Sequence, residues 1–291
     1  MITVENVKYS YDKTTPVLHG ISFSENEPVI IGLWGRNGAG KTTLMKLLAG
    51  HQQASEGNIE IMGHAPYNNA EAQQHLCYMQ EDHPFSQIWS VKDAMRFAKY
   101  FNPNWNQSTA DKLLKVFKLQ EHKKTSKLST GMKTALQLVI GVASQASVTI
   151  LDEPTNGLDA GMRKKFYEVL LESYEEHPRL ILLSTHHIEE VQPLCESLIV
   201  IHQGSVLLNE TLDELREKGI WLTGDKEKVD ELSKGLNILE KKEVGSVKKV
   251  MIDAPFSKEW KERAHANGLS LEKADLQDYL LNITDEKEIR I

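Results

Sequence analysis

Residues 29–48 read VIIGLWGRNGAGKTTLMKLL, and their order decides the fold. Val29 to Leu33 is an unbroken apolar run, the pattern of a strand buried on both faces of a sheet. Gly35-Arg-Asn-Gly-Ala-Gly-Lys-Thr42 follows with the spacing G-x-x-x-x-G-K-[ST], and Thr43, Leu44, Leu47 and Leu48 begin an apolar helical stripe. Strand, glycine-rich turn and helix in that order make a phosphate cradle. Gly35, Gly38 and Gly40 let backbone N–H groups turn inward around phosphate oxygens, and Asn37 lies between them. The positive end of the next helix, at Thr42 and Thr43, favours the same anion. Lys41 is expected to reach the β- and γ-phosphates of a bound nucleotide, and the Thr42 hydroxyl to ligate Mg²⁺.

Residues 147–160, SVTILDEPTNGLDA, carry the second signal. A short apolar strand, Val148 to Leu151, ends in two adjacent carboxylates, Asp152 and Glu153. Buried strands seldom end so, because a carboxylate is costly to desolvate without a partner. Taken alone, the pair also fits an acidic helix-capping turn before Pro154. Beside the phosphate cradle, Asp152 is placed to hold Mg²⁺ directly or through water. Glu153 is placed to orient and polarise an attacking water near the γ-phosphate.

Composition sets the outer limits. The chain has 291 residues, enough for one large domain and a small one, with 40% hydrophobic and 26% charged residues. Its net charge of -7 offers no basic surface for nucleic acid, so no nucleic-acid partner is expected. Cys77 and Cys195 lie far apart in no metal-like spacing and read as reduced thiols of a cytosolic protein. The start, MITVENVKYSYDK, carries charges and no apolar h-region, so a signal peptide is not expected. No apolar run approaches the roughly 18 residues of a membrane span.

Further strands are expected around Ile2–Val7, 17–23, 180–184 and 197–201, alternating with helices. Between Ser90 and Ala143 the pattern is helical. Ser90 caps a helix with Val91, Ala94, Met95, Ala98 and Phe101 on its buried face; Asn102–Asn106 breaks it; 108–119 resumes it; Ser129 starts a third helix. The fold class is therefore α/β with a helical insertion, in a first domain over 1–210 with the insertion at about 83–145. Residues 211–291 change texture, dense in charges of both signs. They read strand, helix, strand, strand, helix, strand, helix: a small α+β C-terminal domain with a possible βαββαβ order.

With Leu128-Ser-Thr-Gly-Met132 added to Gly35–Thr42 and Ile150–Asp159, the chain resembles the nucleotide-binding subunit of an ABC transporter. The resemblance covers about residues 1 to 210 and implies a P-loop NTPase core with a mixed sheet. It also implies that Ser129 and the Gly131 amide, at a helix N-terminus, contact the γ-phosphate bound by the opposite subunit. Thr130 and Met132 depart from the family's Leu-Ser-Gly-Gly-Gln, and Leu128–Met132 alone also fits a plain capped helix. Tyr11 resembles the aromatic residue that stacks on adenine, with Tyr9 as its rival. Gln80 resembles the glutamine that touches Mg²⁺ and water and couples to the membrane partner. Asp159 resembles the aspartate linking the two sites of the dimer. In Ser184-Thr-His-His187 the family's γ-phosphate histidine falls on His186, with His187 in the variable position.

The implied activity is ATP hydrolysis, with ATP and Mg²⁺ as ligands. Two subunits, identical or paralogous, sandwich two ATP and drive a separate membrane permease, so the chain is cytoplasmic and peripheral on the inner face of the membrane. Phe101-Asn-Pro-Asn-Trp105, Met132 and the tail Asp275–Thr284 resemble exporter ATPases of Gram-positive bacteria, of the bacitracin-resistance or Ytr type. Drugs, peptides or envelope-active compounds are the implied cargo. A soluble ABC ATPase acting on the ribosome is a rival, but it carries a second P-loop, absent here. A DNA-repair ATPase would need a long coiled coil, and no heptads appear. A regulatory nucleotide-binding module without turnover is the non-enzyme alternative, against which Glu153 and His186 speak.

Overall fold

The computed structural model describes residues 1–12, 15–80 and 85–285. Lys13 of the turn after Tyr11, Glu81 after Gln80, positions 83–84 of the helical insertion and the end of the tail, 286–291, lie outside the described residues. The chain divides into two compact units, Met1–Asn209 and Glu210–Ile291.

The first unit opens with β1 (Ile2–Ser10), β2 (Pro16–Glu25), β3 (Ile30–Trp34), α1 (Lys41–Leu48), β4 (Glu56–Ile61), α2 (Ala70–Gln74) and β5 (Leu76–Met79). β2, β1 and β4 form a three-stranded antiparallel sheet with β1 in the middle. Every residue of β3 is buried, as its unbroken apolar run requires. The helical insertion comprises α3 (Val91–Phe101), α4 (Gln107–Val116) and α5 (Thr130–Ala143). Ser90 and Asp93 form a reciprocal cap on α3, and Asn106 and Ser129 cap α4 and α5.

Phe101 departs from its expected place on the buried face of α3: it is 59% exposed. The chain leaves the helix at Asn102, whose side-chain amide donates to the Ala98 carbonyl at 2.7 Å. Phe101 then packs its ring at a tilt of 53° against Phe97, with centroids 4.8 Å apart.

The core closes with β6 (Val148–Leu151), α6 (Ala160–Glu176), β7 (Leu180–Thr185), α7 (Ile188–Val191), β8 (Ser197–His202) and β9 (Ser205–Thr211). The large sheet runs β5-β6-β7-β3-β8-β9. Strands β5, β6, β7, β3 and β8 are parallel. β9 returns through Gln203 and Gly204, both at positive φ (45° and 72°), a turn that joins antiparallel neighbours and makes the sheet mixed. Leu33, Leu44, Leu48, Ile150 and Leu182 sit in one buried cluster under this sheet and α1. Because β3, β6 and β7 are parallel neighbours, the segments after their C-terminal ends meet along one edge.

In the second unit a Thr211–Glu214 capping box starts α8 (Leu212–Arg216). Then come β10 (Lys218–Asp225), α9 (Lys226–Leu232), β11 (Ile238–Val244), β12 (Val247–Pro255), α10 (Lys258–Ala266), β13 (Ser270–Lys273) and α11 (Leu276–Ile283). The sheet order is β11-β12-β10-β13, antiparallel throughout. This is the order of a split βαββαβ unit. Ile220, Leu222, Val250 and Ile252 pack with Val229, Trp260 and Ala264 in its core.

Candidate functional site

The turn after β3 and the first residues of α1 wall a cavity of about 480 Å³. Asn37, Gly38, Gly40, Lys41, Thr42 and Thr43 line it, with Val17, Glu153, Asn156 and His186 opposite. Gly40 caps α1 at φ 107°, and a Cβ there would lie 2.7 Å from Leu18 Cδ2, so only glycine fits. That conformation leaves the first N–H groups of α1 free of side-chain caps. Such groups are the donors an anion uses.

Lys41 is buried, and its Nζ donates to the Gly35 carbonyl at 2.7 Å. It lies 3.8 Å from Glu153 Oε1. Burial lowers the Lys41 pKa from its ordinary value, while the Glu153 and Asp152 carboxylates pull it back up. Glu153 Oε2 is 2.9 Å from His186 Nδ1, so each carboxylate oxygen faces one cationic or proton-bearing group. The rings of His186 and His187 lie 3.9 Å apart, tilted by 46°, and His186 is the one that meets the cavity.

Glu153 holds a left-handed backbone, φ 45°. A side chain there costs about 1–2 kcal/mol, so something must hold it. Its N–H donates to Ser184 Oγ at 2.7 Å, and the same hydroxyl donates to Asp152 Oδ1 at 2.7 Å. Asp152 is 1% exposed and its Oδ2 has no hydrogen-bond partner among the described residues. The buried Tyr78 hydroxyl lies by Asp152, and burial first, then that carboxylate, holds the phenol well above its ordinary pKa. Asp152 itself lies outside the cavity lining, directly before Glu153, which lines it. A buried carboxylate oxygen with a spare lone pair and the exposed Thr42 hydroxyl of the cavity wall are both oxygen donors of the kind a hard divalent cation takes. Among the described residues there is no cluster of three acidic, His or Cys side chains to cage a metal alone. Phosphate oxygens and water would complete the shell, the habit of Mg²⁺.

The remaining expected residues fall in other places. Tyr11, just past β1, is half exposed, with its hydroxyl 3.1 Å from Thr43 Oγ1 and its ring edge-on to Tyr9 at 5.1 Å. Gly35 lies outside the cavity lining and contributes its carbonyl to Lys41. Gln80, directly after β5, is half-buried and also outside the lining. Ser129 caps α5 by accepting from the Met132 N–H at 3.3 Å, and Gly131 follows on the first turn of that helix. Asp159 caps α6 by accepting from the Met162 N–H at 2.9 Å. Neither helix start reaches this cavity. Val17, Asn156 and Ser184 are the additions that sequence reasoning missed: a β2 valine, a loop asparagine and a strand-end serine carry no spacing signal.

Known proteins bear on the same residues. A family profile described as "ABC transporter" matches residues 18–156. The ABC transporter ATP-binding protein YtrB of Bacillus subtilis (strain 168) is 30% identical over 204 residues, covering 70% of each chain. The Nod factor export ATP-binding protein I of Burkholderia pseudomallei (strain 1710b) is 34% identical over 209 residues, covering 70% of this chain and 68% of that one. Among solved structures, an ATP-binding subunit of an ABC transporter superposes with a TM-score of 0.67 at 24% identity, over 74% of this chain and 92% of that one. A dimeric ATP-binding cassette in a post-hydrolysis state with ADP and phosphate gives 0.64 at 18% identity, over 73% of this chain and 99% of that one. At these identities the structural matches speak for the fold.

Proposed function

The chain belongs to the ABC transporter family as an ATP-binding subunit with ATPase activity, and we propose that it powers export through a separate membrane permease. The relative named for Nod factor export supports the direction. The likeness to YtrB, together with the exporter-type motifs, favours drugs, peptides or envelope-active compounds as cargo. Among the described residues no helix is long and apolar enough to cross a membrane. This subunit would sit on the inner face of the membrane.

The observation that carries the reading is one cavity holding Lys41, Thr42, Glu153 and His186, with Glu153 gripped between lysine and imidazole. The α1 amides and Lys41 bind the β- and γ-phosphates of ATP, and Tyr11, beside Thr43, carries the adenine. Mg²⁺, held by Thr42 and Asp152 with Gln80 and water, would neutralise charge developing on the phosphates. Glu153 accepts the proton of the attacking water, and His186 holds its second oxygen in place.

Two subunits close head to tail, so that Ser129 and Gly131 of one meet the γ-phosphate in the other, with Asp159 between the sites. Hydrolysis removes that contact and releases the pair. Gln80 and the helical insertion pass the motion to the permease. An exposed aromatic row on α3, Phe97, Tyr100 and Phe101 beside Trp89, supports docking there.

Light scattering on the Glu153→Gln variant, with and without Mg-ATP, tests the sandwich. A rise from monomer to dimer mass is expected. Bound ATP with no change of mass would overturn pairing between identical chains and direct the search to a paralogous subunit.

A further inference from the structure

Ser184 ends the apolar strand β7, and its place follows from register. In the large sheet Leu151 pairs with Leu183, and Leu33 pairs with Ser184. Ser184 therefore stands between the last residue before the two carboxylates and the strand that launches the phosphate cradle. It is fully buried. Its single hydroxyl proton goes to Asp152 Oδ1 at 2.7 Å, and its oxygen receives the Glu153 N–H at 2.7 Å. One hydroxyl thus fixes two successive residues whose side chains point to different tasks.

Both bonds matter more than an average core hydrogen bond. The bond to Asp152 is charge-assisted and fixes the orientation of a buried carboxylate whose other oxygen, Oδ2, has no partner among the described residues. The bond from the Glu153 N–H is the one side-chain contact on a backbone amide whose φ of 45° lies outside the comfortable range of a glutamate. Loss of that anchor frees the backbone to relax, and the carboxylate would swing away from Lys41 and His186.

We infer that Ser184 is a positioning residue for hydrolysis, a buried hydroxyl that orients the metal-facing Asp152 and the water-facing Glu153 together. The inference rests on the proposed roles of those two carboxylates. Ser184 is fully buried and lies outside the cavity lining, so its effect passes through its partners.

Threonine and valine have the same shape, and only threonine carries the hydroxyl, so Ser184→Thr and Ser184→Val share any packing cost. The threonine variant is expected to keep turnover within about threefold of the parent, and the valine variant to lose about 10- to 100-fold in kcat with KM for ATP little changed. Titration of Mn²⁺ into each protein with a non-hydrolysable ATP analogue reads the same geometry without turnover. Valine should weaken Mn²⁺ binding by about tenfold, and threonine should not. Equal behaviour of the two variants in both assays, or a valine loss confined to KM, overturns the inference. If neither β-branched variant folds, Ser184→Ala is judged by the same kcat and Mn²⁺ criteria. Glu153→Gln run alongside separates the two readings. Normal turnover there sinks the base assignment, and the Mn²⁺ titration then decides the Ser184 inference through Asp152 alone.

Discussion

Gly131 lies against Gly157 so closely that a Cβ on Gly131 would sit 2.6 Å from the Gly157 carbonyl oxygen. The first residue is on the opening turn of α5; the second belongs to the turn between Glu153 and Asp159, at φ 80°. The helix start assigned to a partner's nucleotide is thus in backbone contact with the loop that follows this subunit's own carboxylates.

Gly131→Ala is expected to push these two segments apart, a change of the kind that costs about 1–3 kcal/mol in a packed site. ATP binding by the isolated chain should persist, because the cavity around Lys41 does not include Gly131. Nucleotide-dependent dimer mass, in the Glu153→Gln background, should fall or vanish. Full dimer formation by the double variant would show that the contact is tolerant and that Gly131 does not shape the interface.

Glu153 and His186 are coupled through the 2.9 Å contact, and their variants should not act independently. Glu153→Gln is expected to lower turnover by about 10²–10⁴, the range for removal of a general base. His186→Ala should lower it less, because it leaves the carboxylate and loosens only one of its oxygens. The double variant should be no slower than Glu153→Gln alone, since removing either partner removes the shared interaction. Steady-state ATPase rates of the three proteins check this, and simple multiplication of the two single effects would show that His186 works apart from Glu153.

The large features of this arrangement were legible because chemistry restricts the residues. A phosphate cradle needs glycines and a lysine at fixed spacing, and a metal-facing strand end needs a carboxylate. Gly35–Thr42, Asp152 and Glu153 could therefore be read one by one. Ser184 could not be read that way. Its role arises from the parallel register of Leu151 with Leu183, and nothing along the chain marks that pairing. Phe101 misled for a different reason: helical spacing continues the buried stripe to it, but the helix ends at Asn102 and the ring turns outward. β4 carries no signal in the sequence because Glu56–Ile61 starts with three exposed residues, and β5, Leu76–Met79, is only four residues long and marked there by little more than the Gln80 that follows it. Both exist through pairing with a neighbour, β1 and β6 respectively.

Tyr279 tests the second unit by itself. Its ring is buried, and its hydroxyl donates to Asp253 Oδ1 at 2.9 Å, tying α11 to the end of β12. Burial, reinforced by that carboxylate, keeps the phenol neutral far into the alkaline range. Tyr279→Phe keeps the packing and loses the bond, at an expected cost of about 1 kcal/mol, with Asp253 returning to water. Chemical denaturation of the whole chain should show a lower midpoint for the phase that contains this unit. ATP binding should be unchanged, and a weakened affinity for ATP would show that the bond does more than hold the unit together.

Lys41 carries a cost that nucleotide binding should relieve. The side chain is 7% exposed, and burial depresses its pKa below the ordinary 10.5 despite the two nearby carboxylates. Below the lowered value the amine is charged in both folded and unfolded chains, and the full cost is present. As pH rises through the lowered value, the folded state releases a proton that the unfolded chain still binds, so stability rises with pH until about 10.5. Lys41→Met removes the cost at all pH values and keeps the volume, so without nucleotide the variant should at least match the parent at neutral pH. The difference should shrink toward alkaline pH, where the parent sheds its own charge. With Mg-ATP the order should reverse, because only the parent gains stability from bound phosphate. Thermal melts of both proteins at about pH 7 and about pH 9.5, with and without Mg-ATP, measure all of this. A variant that melts well below the parent in the absence of nucleotide would show Lys41 to be a net stabiliser of the empty cradle, contrary to the direction in which burial moves its pKa.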